Sequence, residues 1–226
     1  MNTLYPKEWL DKSSIGERVA AELRMQIISD RIESGSVISE NKIASQFGTS
    51  RSPVREALKV LSSDGLIQLE RMGAVVIGFS ENDIEEMYDI RKMIESFVLE
   101  RVIESENDDL IKKLRQIIEM MRISVKYQDA EGLTIQDLDF HETIIRTIHH
   151  NQIMLLWSKL RPVMECFILL SMRRRFIDKP EDAERIVSNH ISIIEAIQNK
   201  DRELLTKAIY QNFHTQHMLE KERETK

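Results

Sequence analysis

Up to about residue 79 the apolar positions come in short groups separated by turn residues. Ser14-x-x-Glu17 has the form of a capping box and predicts a helix over residues 14–32, before Gly35. A short second helix fits residues 39–47 and stops at Gly48. A third starts near Ser50, with Pro53 in its first turn where a missing N–H costs nothing, and ends at Asp64-Gly65. Val54, Ala57, Leu58 and Leu61 stand at i, i+3, i+4 and i+7 and form one buried stripe on it. Residues 67–70 and 74–77 read as two short strands joined at Arg71-Met72-Gly73. Helix, helix-turn-helix and hairpin, in that order, make a winged helix.

The pattern changes after residue 79. Ser80 caps a helix over residues 80–105 that turns Ile84, Met87, Tyr88 and Ile94 inward. Further helices fit residues 108–128, 134–150, 152–177, 181–199 and 201–222, with breaks near Gly132, Pro180 and Asn199-Lys200-Asp201. Six helices on short connections predict an antiparallel bundle. The expected fold is mainly α: an N-terminal winged helix-turn-helix over residues 1–79, followed by an antiparallel all-helical bundle over residues 80–226. Glycine usage agrees, because beyond Gly78 only Gly132 remains.

Composition narrows the class. Of 226 residues 42% are hydrophobic and 31% charged, too apolar a mixture for a disordered chain. The single cysteine, Cys166, excludes an intramolecular disulfide, and the start MNTLYPKEWLDK has no apolar signal core, so a cytoplasmic protein is expected. The longest apolar run, residues 163–172, contains Glu165 and is too short to span a bilayer, so no membrane partner is expected.

A net charge of −6 at first speaks against nucleic acid. Its distribution reverses that. Residues 1–79 carry 10 basic and 10 acidic side chains, so the whole excess lies in the bundle. Residues 41–71 carry 5 basic and 3 acidic ones, a local +2. On the third helix Arg51, Arg55 and Lys59 form a row about 110° from the apolar stripe, hence in solvent. Arginines there can bond guanine bidentately, and Ser50 and Ser52 reach phosphates or bases near the helix start. Arg71 and Gly73 at the hairpin tip can approach an adjacent groove. The competing reading of the same row is an ordinary solvated face, or a winged helix that docks protein.

Polar residues on the bundle's apolar stripes form a second group. Leu138, His141, Ile145 and Ile148 share a face with Asp137 at its edge, Val187, His190, Ile194 and Ile197 share another, and Leu205, Ala208, Ile209 and Asn212 a third. Asp-x-x-x-His on a helix presents a carboxylate and an imidazole together, suited to chelating a divalent cation that His190 would complete. The alternatives are satisfied core histidines and a Thr134-x-x-Asp137 capping box. Arg91 lies on the stripe of Ile84, Met87, Tyr88 and Ile94, where it pairs with Glu95, forms a domain-interface salt bridge or grips an effector carboxylate. Trp157, Met164, Phe167 and Met172 read as core, and Arg173-Arg174-Arg175 as a solvated helix end.

Ile38-Ser39-Glu40, Ile43-Ala44, the run from Phe47 to Leu58 with its SRSPVREAL core, Leu61 and Asp64-Gly65-Leu66-Ile67 together resemble the signature of the GntR family of bacterial transcription regulators. The helical remainder resembles the family's FadR-type effector domain. The resemblance implies that Ser50, Arg51 and Arg55 contact DNA, that Gly73 sits near the groove, and that Asn41 stands where many members have a DNA-contacting arginine. It also implies a divalent metal, zinc first, on Asp137, His141 and His190. The family's fourth ligand, a histidine, is here Asn212, and His214 lies about 200° further round the helix and cannot simply replace it. The implied function is a homodimeric repressor on a palindromic operator, released by a small carboxylate such as gluconate or a related sugar acid, with Arg91 and Asn212 contacting that effector. A metal-dependent enzyme built on Asp137, His141 and His190 is the alternative.

Overall fold

The computed structural model describes residues 4–71 and 73–221, with side chains to residue 213. Two compact units divide the chain between Asp83 and Ile84.

In the first unit α1 (Ile15–Ile28) begins with the predicted capping box: Glu17 N donates to Ser14 Oγ at 3.2 Å and Ser14 N donates to Glu17 Oε2 at 2.7 Å. It stops four residues before the predicted end, because Asp30 turns the chain with a φ of 58°. Then come β1 (Val37–Ser39), α2 (Glu40–Phe47), α3 (Arg51–Ser63), β2 (Ile67–Glu70) and β3 (Gly73–Val76). Strand β1 was not expected, since three residues are too few to show alternation, and Ser39 is its last residue rather than the first of α2. The sheet is antiparallel in the order β1-β3-β2, with Ser39 and Glu70 both opposite Gly73. The predicted stripe of Val54, Ala57, Leu58 and Leu61 is buried against α1 with Val19 and Leu23. Arg24, nearly buried, donates from Nε and Nη2 to Asp64 Oδ2 at 2.9 and 2.8 Å and ties α1 to the end of α3.

Helix α4 (Glu81–Val102) spans the division between the units and starts from a reciprocal cap, Asp83 N donating to Ser80 Oγ and Ser80 N to Asp83 Oδ2. The remaining helices are α5 (Asp108–Lys126), α6 (Ala130–Thr147), α7 (Asn151–Asp178), α8 (Ala183–Asn199) and α9 (Arg202–Lys221). Packing joins α5 to α6 and α8, α6 to α7, and α8 to α9. Met72 of the predicted hairpin turn, residue 222 of the last predicted helix and the side chain of His214 lie outside the described residues.

Two expectations in the bundle are corrected. Helix α6 starts at Ala130, not residue 134, because Asp129 caps it by accepting from Gly132 N at 2.9 Å. Gly132 therefore belongs to the first turn rather than a break, where an added Cβ would lie 2.3 Å from Asp129 Oδ2 and 2.6 Å from Ser124 Oγ. Thr134 is interior to the helix and donates to the Ala130 carbonyl, so Asp137 is no cap partner. The Arg173–Arg175 run is not a solvated end either: Arg173 pairs with Glu131, Arg174 with Asp178, and Arg175 is buried beside Asp182. Trp157, Met164, Phe167 and Met172 are core, as read from the stripes.

Gly73 of β3 pairs with Ser39 of β1, and a Cβ there would lie 2.1 Å from the Ile38 carbonyl oxygen. Gly73→Ala is expected to destabilise the first unit by about 1–3 kcal/mol, read as a lower denaturant midpoint. Burial pushes the Glu165 carboxyl on α7 up to about 7. A carboxyl raised on folding favours the protonated state, so its contribution is present below about pH 4.5 and is lost as the pH rises towards 7. Glu165→Gln is expected to stabilise the protein by about 1–3 kcal/mol at pH 8 and by almost nothing at pH 4, measured by urea melts.

Candidate nucleic-acid interface and metal centre

The start of α3 is an open polar surface. Ser50 is its N-cap residue, exposed, and its hydroxyl makes no capping bond. Ser52, Arg55 and Lys59 are exposed on the same helix, Asn41 is exposed in the first turn of α2, and Arg71 is exposed after β2. Gly73 is buried, and the backbone crossing it already accounts for the missing side chain. One acid organises this surface. Glu40, the first residue of α2, is buried and accepts from Arg51 Nε at 2.9 Å, Arg51 Nη2 at 2.5 Å and Arg55 Nε at 2.9 Å. Bonds from Arg55 first, and then Arg51, hold its carboxyl below the usual range.

The polar stripes of the bundle converge on one buried cluster. Asp137 and His141 from α6 and His190 from α8 are all buried, and one ligand atom from each lies within 4.8 Å of the others. Phe140 packs edge-on against both imidazoles, at 5.5 and 4.7 Å between ring centres. His141 Nδ1 lies 2.6 Å from Glu95 Oε2, and His190 Nδ1 lies 2.8 Å from the Ile186 carbonyl oxygen. Each contact calls for a proton on Nδ1, which leaves both Nε2 atoms as lone-pair acceptors. Burial pulls the His141 pKa down against the opposing pull of Glu95, which keeps the ring neutral.

Across the cluster His190 Nε2 faces Asp137 Oδ1 at 3.3 Å, and neither atom has a hydrogen-bond partner among the described residues. Two facing lone pairs favour a cation between them. The cation is either a proton on Nε2 or a metal ion that takes both atoms as ligands. Neutral imidazoles anchored at Nδ1 and a carboxylate oxygen form the donor set of a divalent site, and the Glu95 contact to His141 is the outer support such ligands use. The residues present therefore fit a metal. Asn212 Nδ2 lies 3.4 Å from His141 Nε2, within reach to donate to that lone pair.

Arg91 lies beneath, fully buried. It donates from Nε to Glu95 Oε1 at 2.7 Å and from Nη2 to Asp137 Oδ2 at 3.4 Å, with Trp157 and Phe213 rings about its guanidinium. Burial alone would push Asp137 and Glu95 up. A His190 ring protonated at Nε2, together with Arg91, holds the Asp137 carboxyl well below its usual range, and His141 and Arg91 do the same for Glu95.

Residues 15–77 match the family described as bacterial regulatory proteins, gntR family, and residues 86–215 match the FCD domain. The chain belongs to the GntR family of bacterial regulatory proteins. Among its relatives are two proteins named gluconate operon transcriptional repressor. That of Bacillus licheniformis is 55% identical over 212 residues, covering 94% of this chain and 87% of the relative. That of Bacillus subtilis is 55% identical over 210 residues, covering 93% and 86%. The fold is similar to that of E. coli McbR/YncC, with a TM-score of 0.71 at 18% identity over 93% of this chain and 99% of that one. A Listeria monocytogenes protein, Lar, matches with a TM-score of 0.66 at 19% identity over 94% and 99%.

In this GntR-family chain the structure brings Asp137, His141, His190 and Asn212 together from three helices, with Arg91 alongside. Two acids that organise these sites were missed as site residues in the sequence. Glu95 was read only as a partner for Arg91, and its second oxygen on His141 had no signal beyond its i+4 position. Glu40 falls one residue outside the basic segment counted above. Protein purified without chelator is expected to carry a stoichiometric divalent ion, measured by inductively coupled plasma mass spectrometry. Asp137→Ala combined with His190→Ala should remove it, and Glu95→Gln should weaken metal affinity by roughly 10–100-fold in chelator competition. Metal-free wild-type protein would refute the site.

Proposed function

We propose that the protein is a homodimeric transcription repressor of a sugar-acid utilisation operon, with gluconate the first candidate, released from a palindromic operator by a small carboxylate effector. One observation carries this reading: the 55% identity, over nearly the whole chain, to repressors named for the gluconate operon. Residues 1–79 would read DNA through Ser50, Ser52, Arg51 and Arg55, with Asn41, Arg71 and Gly73 at the margins of the contact. Residues 80–226 would bind the effector and dimerise, since two-fold proteins match two-fold sites. No described helix is long and apolar enough to cross a membrane, and an operator-binding protein works in the cytoplasm.

Charge supports the effector class. With both histidines neutral, Arg91, Glu95 and Asp137 sum to −1 in a buried cluster. A divalent ion, zinc first, on Asp137, His141 and His190 would supply a net positive site that one monoanionic carboxylate neutralises. Arg91 is committed to Glu95 and Asp137, so it meets an effector only by releasing one of them, and its standing role is to hold the two acids ionised. Asn212 offers an amide for effector hydroxyls. The relatives named as repressors support a regulator rather than an enzyme, and no observation favours the enzyme reading of this cluster.

Effector binding can weaken the operator complex only by its differential affinity for the two states. In gel shifts on the DNA upstream of the protein's own gene, binding should fall steeply with salt, and Arg51→Ala should weaken it at least about tenfold. Millimolar gluconate or a related aldonate should lower affinity by about 5–150-fold. Unchanged affinity with every sugar acid tried would end the induction proposal, and unchanged binding by Arg51→Ala would end the assignment of α3.

A further inference from the structure

We infer that Glu40 is a positioning residue for operator reading: its single carboxylate holds the Nε edges of Arg51 and Arg55 and presents their outer ends as a fixed pair. The inference rests on the DNA-reading role proposed for α3.

The geometry is specific. Both arginines turn the same edge to Glu40, Arg51 through Nε and Nη2 and Arg55 through Nε. In each guanidinium the opposite end, where Nη1 and Nη2 each direct an N–H outward, has no protein partner among the described residues. That end is the fork that matches guanine O6 and N7. The side chains of Arg51 and Arg55 are 41% and 56% exposed while that of Glu40 is 9% exposed, so the acceptor is shielded and the donors reach solvent.

The acid is itself fixed by the fold. It follows Ser39, which pairs with Gly73 of β3, and it opens α2. The sheet therefore sets the position of Glu40, and Glu40 sets both arginines, which come from a different helix. An arginine ordered before binding loses less rotamer freedom on meeting DNA. The acid also has an electrostatic consequence. Glu40 with its two arginines leaves a net +1 rather than +2, which lowers attraction to phosphates irrespective of sequence. Ordering the forks and removing one positive charge both favour discrimination over bulk affinity.

The test compares full-length wild type, Glu40→Gln and Glu40→Asp. Wild type first selects a consensus from a random duplex library, and each protein is then titrated with the consensus duplex and a shuffled duplex of equal composition. Glu40→Gln should bind the shuffled duplex as tightly as wild type or tighter, with a steeper salt dependence, while its preference for the consensus falls at least tenfold. Glu40→Asp keeps the charge but is a methylene too short to hold both arginines. It should leave shuffled-duplex binding unchanged and still lose preference, which decides the matter if Glu40→Gln does not fold. Unchanged preference in both variants overturns the inference, as does an equal loss on both duplexes with a lowered melting temperature, the mark of a merely structural residue. A wild type that selects no consensus overturns the DNA-reading role as well.

Discussion

The second unit is organised around a charge that has been taken out of water. Arg91, Glu95 and Asp137 are buried on two helices, and an unpaired ion there would be strongly destabilising. Each is therefore satisfied by another: Arg91 bridges both acids, Glu95 shares its second oxygen with His141, and Asp137 turns its second oxygen to His190. Satisfying those contacts brings α4, α6 and α8 to one point, with α9 reaching it through Asn212. With neutral imidazoles the cluster would carry surplus negative charge, and Asp137 Oδ1 and His190 Nε2 face each other in the arrangement a divalent ion would use. Architecture and chemistry here follow from one constraint.

The first unit handles charge differently. Glu40 is shielded but lies at the edge of solvent, and its partners extend outward. Pairing there leaves most N–H donors of the two arginines available, whereas Arg91 in the bundle is enclosed by acids and aromatic rings. One chain thus uses arginine in two ways: as a presented fork near a helix start, and as a buried counter-ion that keeps two carboxylates ionised.

Much of this was legible in the residues. The capping box at Ser14, the stripe on α3 and the stops at Gly48 and Gly65 are local signals, and the elements follow them within a few residues. The Asp137, His141 and His190 set was also visible, because polar groups stood out on apolar stripes. The start of α6 was misplaced because Gly132 reads as a break, when its small size admits the Asp129 cap and the Ser124 hydroxyl. Strand β1 was missed because it exists only through pairing with β3. Arg175 looked solvated because burial at a helix end depends on what packs there, here the turn at Asp182.

By itself the sequence determined the order of the helices, the division of charge between the two halves, and the inward facing of Arg91, Asp137, His141, His190 and Asn212, since periodicity and capping act over a few neighbouring residues. Only the tertiary structure decided their partners. Glu40 meets Arg51 and Arg55, 11 and 15 residues away, and Asp137 meets Arg91 at a separation of 46. Such pairings are set by packing and by the cost of leaving an ion unpaired, and neither leaves a local mark on the chain.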